Sequence, residues 1–461
     1  MANNFMAEHP WYAKRKSIWR YNLASLAGGR AMVDGGYLDP SAIEGEASFD
    51  RRKRRSMRLY KNLLRSGLRI YEGQIFRIEP VRVIPERISG MVDDVDLQGT
   101  DAQPFFASVT SDAQVTGQSY VLVDSPALPP GTTQMQAQQG RLRPYFEHVP
   151  TLALIDWEVE TLSPARRGQL NYAVIADEIY APTASPFALH DPISRIRVWT
   201  TDEWFVFTRG AADATHTLDS QGSHSLGRVP LVPFYDQRIA PMQGQTISDD
   251  IALQADALWQ YRSVRDESLY IHGIQQLVLS SDSDDIKELD FSASRAIPIG
   301  ANDTLDYLRP SEVVYSAYSD VATEIIEDVA DLIFARSSRQ LPTGQVESAD
   351  KRRSDREEFV AILEEKASNF EESEAECWRL ANLWAGGTDG DEISVAYNRD
   401  YESVDTLADE WVQRIAEGVA SRVEWYQEIH PGVSTEDAAI AVAANAAQRG
   451  SPVRDVLNGL V

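Results

Sequence analysis

One cysteine, Cys377, in 461 residues excludes an internal disulfide framework and fits a reducing compartment. No apolar run approaches the roughly 20 residues that a membrane helix needs, and the N-terminal MANNFMAEHPWYAKRK has no signal-peptide core. Catalytic signatures are equally scarce. The seven histidines show no HExxH or paired-ligand spacing, and no G-x-S-x-G elbow occurs. GSHSLGRV at Gly222–Val229 has P-loop glycine spacing, but Arg228 and Val229 replace the required Lys and Ser/Thr. DVDLQG at Asp94–Gly99 opens like an EF-hand loop. Its twelfth position is Phe105, where a bidentate Glu is required, so calcium binding fails.

Basic charge is also short. The chain carries 44 Lys+Arg against 70 Asp+Glu, a net charge of −26. The imbalance is uneven: residues 1–90 hold 17 basic and 9 acidic residues, the remainder 27 and 61. A protein that grips DNA neutralises phosphates with Lys and Arg. Most of this chain repels DNA, which leaves open a wall past which nucleic acid slides. Hydrophobic content of 43% is ordinary for a globular protein, and the length suggests roughly two to four lobes.

Residues 8–28 read as a helix with Trp11, Ile18, Trp19 and Leu23 on its apolar side. Asp50 caps a basic helix, RRKRRSMRLYKNLLRSG, that ends at Gly67 and buries Leu59, Leu63 and Leu64. Its Arg51–Arg55 cluster is open to three readings: nucleic acid, an acidic neighbouring subunit, or a solvated face. Leu68–Pro80 reads as extended and Asp101–Val115 as helix. From Tyr120 to Asp236 short strands recur, YVLVD, PYFEHVP, ALIDWEVE, NYAVIADEIYA, RIRVWTTDEWFVFT and VPLVPFYD, as in an antiparallel sheet. Ser125–Pro144 reads as a surface loop. Ser248–Asp250 starts a helix containing Ile251, Leu258, Trp259, Tyr261, Val264 and Leu269 and reaching Gly273. A polar insert follows, with strand-like QQLVLS and AIPIG around SSDSDDIKELD.

The chain is organised around Ser311–Trp384. Ser311 is a candidate N-cap, and Val314, Ala317, Val321, Ile325, Val329 and Leu332 form one apolar stripe. The other side carries Glu312, Asp320, Glu324, Glu327, Asp328 and Asp331, with no basic residue before Arg336. Pro342 and Gly344 break the helix within Arg339–Asp350. Helix resumes with a Ser354/Glu357 capping box, and Phe359, Leu363, Phe370, Cys377 and Trp384 continue a stripe. On that stripe Cys377 reads as small core packing. Glu392–Tyr397 is strand-like, and two helices follow over Thr406–His430 and Ser434–Arg449. The fold class expected is α+β, with long helices and an antiparallel sheet.

This order of elements resembles the portal (head-to-tail connector) proteins of tailed bacteriophages. HPWYAKRKSIWRYNLASLAGG, YKNLLRSGLRIYEGQIFRIEP and PTGQVESADKRRSDREE are similar to the portal N-terminal helix, a wing segment and the loop leading into the tunnel helix. The stretch ISVAYNRDYESVDTLADEWVQRIAEGVASRVEWYQEIHPGVSTEDA resembles the portal end pattern. The resemblance implies a wing over 1–247, stem helices over 248–272 and 311–338, and a clip over 273–310. A tunnel loop would span 339–350 with Gln340, Leu341, Pro342, Thr343, Gly344 and Gln345, followed by a tunnel helix and return strand over 351–400. Residues 401–461 would be short crown helices. It also implies a homo-oligomeric, dodecameric ring at one capsid vertex of a virion, assembled in the host cytoplasm. Implied partners are the terminase large subunit, the major capsid protein, a tail adaptor and double-stranded DNA in the channel, with no cofactor and no membrane.

In that ring Glu312, Asp320, Glu324, Glu327 and Asp331 would line the bore. Lys351, Arg352, Arg353 and Arg356 either touch phosphates or pair along their own helix with Glu357 and Glu358. Asp282, Asp284 and Asp285 would lie in the clip, where terminase or adaptor docks. The expectation is a non-enzymatic conduit. Two alternatives stand beside it. One is a metal-dependent hydrolase using Asp282, Asp284, Asp285 and Asp290, which otherwise form an acidic loop capping a helix. The other is a virion structural protein without a DNA path.

Overall fold

The first helix, α1 (Pro10–Ala27), begins where proline needs no amide partner and the His9 imidazole accepts the Trp11 N–H at 3.2 Å. The computed structural model describes residues 7–40, 45–126, 142–180, 191–210, 213, 215–273, 276–280, 304–308, 312–334, 349–399, 401, 423 and 435. Side chains at 271–280, 304–308, 312–315 and 349–356 lie outside that description. The chain forms two compact units, Met1–Asn398 and Arg399–Val461, and everything below concerns the first. The helices expected after Thr406 fall outside the described residues.

After α1 come α2 (Gly29–Asp34), α3 (Glu46–Ser56) and α4 (Leu63–Ile75). The single basic helix expected from Asp50 to Gly67 is therefore two. Asn62 restarts the chain by accepting the Arg65 N–H at 2.8 Å on its side-chain oxygen. The stretch after Leu68, expected to be extended, is helical as far as Ile75. Leu64, Leu68, Tyr71 and Ile75 bury one face at helical spacing. Gly67 does not end this helix. It is a notch, because a Cβ there would stand 2.7 Å from Ile333 Cδ1.

Strand β1 (Val81–Val83), the short α5 (Glu86–Ser89) and α6 (Ala102–Thr116) lead into the sheets. β2 (Gln118–Asp124), β3 (Tyr145–Val149) and β9 (Leu231–Tyr235) form one sheet in the order β3-β2-β9. β4 (Leu154–Val159), β5 (Leu170–Tyr180), β6 (Pro192–Thr200), β7 (Glu203–Gly210) and β8 (Thr217–Ser223) form an antiparallel meander. Every expected strand between Tyr120 and Asp236 is present. The polar β8, TLDSQGS, carries no apolar alternation and was not expected.

A tight hairpin, β10 (Gln237–Ala240) with β11 (Gln243–Gln245), precedes α7 (Ser248–Gly273). β12 (Gln276–Ser280) pairs antiparallel with β13 (Thr304–Leu308), so the ends of the insert return to the same place. QQLVLS was expected as a strand; its partner is Thr304–Leu308, while AIPIG lies outside the described residues. Then come α8 (Glu312–Phe334), α9 (Ala349–Trp384) and β14 (Ser394–Ala396), which pairs with β1. The second long helix starts at Ala349, so Ala349 and Asp350 belong to it and not to the expected loop. Ser354 lies inside the helix and not at its N-terminus.

α9 is the spine of the core. Leu363, Phe370, Cys377 and Trp378 are buried, and the Trp378 ring meets Phe146 of β3 edge-on at 5.0 Å. Where β11 crosses the start of β2, the backbone leaves no room for a side chain. A Cβ on Gly244 would overlap the Gly117 carbonyl oxygen, and the Gly244 N–H donates to Gln118 Oε1 at 2.7 Å. Gly244→Ala is therefore expected to destabilise the fold by about 1–3 kcal/mol through overpacking against rigid backbone. Urea unfolding with an unchanged midpoint would contradict this packing.

Candidate functional site: the acidic face of a long rod

Helix α8 has two opposed faces. Successive residues turn by about 100°, which places Ala322, Ile325, Val329 and Ile333 on one side, and all four are buried. Asp320, Glu324, Glu327 and Asp328 lie on the other side and are exposed, with Asp331 among them half-buried. These five carboxylates fill a sector of about 100°, centred opposite the buried stripe. Glu312 begins the same helix, its side chain outside the described residues. The whole of Glu312–Phe334 carries no lysine or arginine.

The buried stripe is rotated slightly from the expected one. Ile325 and Val329 are on it, but Ala317 is exposed and Val321 and Leu332 are only half-buried. Ala322 and Ile333 take their places because the rod rests on two supports. Near its start the Tyr318 ring meets Tyr261 of α7 at 6.4 Å. At its end the Tyr71 hydroxyl donates to the Ile333 carbonyl at 2.6 Å, and Phe334 and Tyr71 both pack on Phe359 of α9. A bond to that terminal carbonyl satisfies one of the four acceptors a helix end leaves open.

Of the other expected positions, Lys351, Arg352, Arg353 and Arg356 lie in the first two turns of α9, their side chains outside the described residues. Gln340–Gln345 and Asp282, Asp284, Asp285 and Asp290 also lie outside them. Within Arg51–Arg55, three of the five side chains find partners inside the chain, while Arg54 is exposed. Arg51 and Arg55 pair with Glu267 of α7 at 3.1 Å each, and Arg55 also holds Asp266. Arg52 is buried and donates to Ser263 Oγ at 2.8 Å. For Arg51 and Arg55 the acidic partner is in the same chain.

Two buried charge clusters escaped the sequence reading. Lys366 of α9 pairs with Asp236, each almost wholly enclosed, and the ammonium lies 5.0 Å from the Tyr71 ring centroid. Burial pushes the Asp236 carboxyl up, against the pull of Lys366. Glu374 accepts from Arg82 Nε at 2.6 Å, Tyr397 Oη at 2.6 Å and Trp378 Nε1 at 3.0 Å, which ties β1 and β14 to α9. Both look like surface charges in sequence, because their partners stand 130 and 292 residues away.

Three described groups bear on chemistry. Ser119 Oγ lies 2.9 Å from His148 Nε2, but Asp112 approaches that same nitrogen at 3.5 Å, whereas a triad places its carboxylate on the other ring nitrogen. Burial pushes the Cys377 thiol well up, away from thiolate reactivity. The Asp94–Thr100 loop uses its carboxylates internally, Asp96 accepting the Gln98 N–H and Asp94 the Gly99 N–H, both at 2.8 Å. Among the described residues no group of three or more His, Cys, Asp or Glu is placed to hold a metal ion. No described helix is long and apolar enough to cross a membrane.

No protein-family model matches the chain, and no curated protein matches it either. Solved structures do. The chain is similar to one from the neck of a native gene transfer agent particle computed with C12 symmetry, at 10% identity and TM-score 0.40, over 88% of this chain and 99% of that one. It is similar to one from the virion of a native gene transfer agent particle, at 11% identity and TM-score 0.40, over 88% and 99%. A third, from the neck of an empty particle computed with C6 symmetry, matches at 11% identity and TM-score 0.40, over 86% and 97%.

Proposed function

We propose that the protein is a portal-type connector subunit of a tailed-phage-like particle: a non-enzymatic ring that conducts double-stranded DNA and joins head to tail. The observation that carries this reading is the rod α8, whose one face is packed and whose other carries carboxylates and no basic residue. A face of that kind suits a bore. Like charge keeps phosphates from settling into deep wells, so DNA moves under motor force without sticking. A closed ring of identical copies needs two complementary side surfaces on each subunit, and long rods provide them.

In this reading α7 and α8 are the stem. The segment between them, entered and left through the β12–β13 pair, is the clip at which the terminase motor and later a tail adaptor dock. Residues 339–348 and the start of α9 border the channel, with Lys351, Arg352, Arg353 and Arg356 as sites of weak phosphate contact. The ring sits at one vertex of the capsid, and twelvefold closure is the stoichiometry that the portal resemblance implies. Negative-stain imaging and native mass spectrometry of the purified chain are expected to give a closed ring with a central hole. Monomers and dimers under all conditions would end the reading.

A further inference from the structure

Helix α7 changes character halfway along. Its upper half buries Ile251, Ala255 and Leu258, spaced four and three residues apart. The same stripe continues with the same spacing as Arg262, Arg265 and Leu269. There it borders a cleft of about 210 Å³ shared with Arg58 and Leu59. Arg58 is exposed and Arg262 and Arg265 are half-buried. The one carboxylate lining the cleft, Asp266, is held by Arg55 at 2.5 Å, and Arg55 and Arg51 share Glu267. Among the described residues no carboxylate comes within 4.0 Å of the Arg58, Arg262 or Arg265 guanidinium groups. Burial and the neighbouring Arg265 charge both lower the Arg262 pKa. Around the cleft the helix exposes large apolar side chains, with Tyr261 at 43%, Leu269 at 48% and Tyr270 at 47%.

We infer that this arginine cleft is a contact surface between copies, receiving carboxylates of a second copy of this chain. The inference rests on the ring reading and names one of its joints. Charge complementarity selects the occupant. Beyond residue 90 the chain holds 61 acidic against 27 basic residues, so a second copy is rich in carboxylates and poor in competing cations. Exposed tyrosine and leucine beside the arginines favour a protein surface over a bare phosphate backbone. Among the described residues the three arginines share few acceptors, and bidentate carboxylates from a neighbour supply more.

The test uses the full-length chain. Arg262→Glu/Arg265→Glu is expected to raise the protein concentration at which rings form at least tenfold by native mass spectrometry. Wild-type rings should loosen as salt shortens the screening length from about 10 Å at 0.1 M to about 3 Å at 1 M. Since reversal could disturb the fold, Arg262→Lys/Arg265→Lys gives an independent readout. Isotopically labelled and unlabelled copies of that variant are mixed and treated with a zero-length carbodiimide. Cross-links from positions 262 or 265 to a carboxylate of a differently labelled copy are expected. Only same-copy links, or unchanged assembly of the reversal variant, overturn the cleft while leaving the ring intact. Normal assembly with loss of double-stranded DNA binding would assign the cleft to phosphates and overturn it too. Wild-type protein that never forms a ring overturns both readings.

Discussion

Replacing Lys366 by methionine is expected to cost about 3–5 kcal/mol of folding stability, the usual penalty for leaving one member of a buried ion pair without its partner. Methionine fills the aliphatic volume, so little of the loss comes from a cavity. What remains is the Asp236 carboxylate, fully enclosed, with burial already pushing its pKa up and Lys366 the main influence opposing that. The pH dependence follows. A carboxyl whose folded pKa lies above its unfolded one contributes stability below the ordinary carboxylate range and loses it as pH rises through the folded pKa. The deficit of Lys366→Met should therefore be largest at neutral pH and shrink as pH falls toward 4, where an ordinary carboxyl takes up its proton. Adding Asp236→Leu should restore most of the loss, since removing both charges avoids the orphaned group. Chemical denaturation of the two single variants and the double variant at two pH values checks this. Additive losses in the double variant would mean that the pair is not coupled.

That pair also marks the limit of what the sequence discloses. The stretches fixed by local periodicity were legible: α1, α6, the six strand-like runs between Tyr120 and Asp236, which form seven of the strands, and the two rods with their acidic side. Failures have two physical origins. Gly67 suggested a helix end and Leu68–Pro80 read as extended, so the greater part of α4 was missed. Leu64, Leu68, Tyr71 and Ile75 carried a helical repeat that Gly67 obscured, and only Ile333, from 266 residues further on, explains why Gly67 is small. The other failure concerns charge. Lys366, Glu374 and Arg52 are buried, yet each lies in a run of polar residues that reads as solvent-facing. Asp236, Arg82 and Ser263, which meet them, come from distant segments that no window on one helix contains. The acidic face of α8 was legible for the opposite reason, because one helix holds the whole pattern.

Charge reversal on that face, Asp320→Lys/Glu324→Lys/Glu327→Lys, should have the largest functional effect while leaving the subunit folded. The three side chains are exposed and have no ion-pair partner among the described residues, so surface substitution there should move stability by no more than about 0.5 kcal/mol. Ring assembly is expected to persist, because the buried stripe Ala322–Ile333 is untouched. The consequence for DNA is different in kind. In the proposed ring, each subunit would present three lysines to the phosphates over about 10 Å of the rod, and the bore would change from a repelling wall to rows of wells. A net deepening of about 3 kcal/mol per step lengthens each dwell roughly hundredfold, so packaged DNA per particle should fall sharply, and more at low salt than at high. A neutral control, with the same three residues changed to glutamine or asparagine, should package at a rate between the two. If the lysine variant packages and releases DNA as the wild type does, the acidic face does not border the DNA path. The protein would then be a structural part of the particle without a conduit along α8.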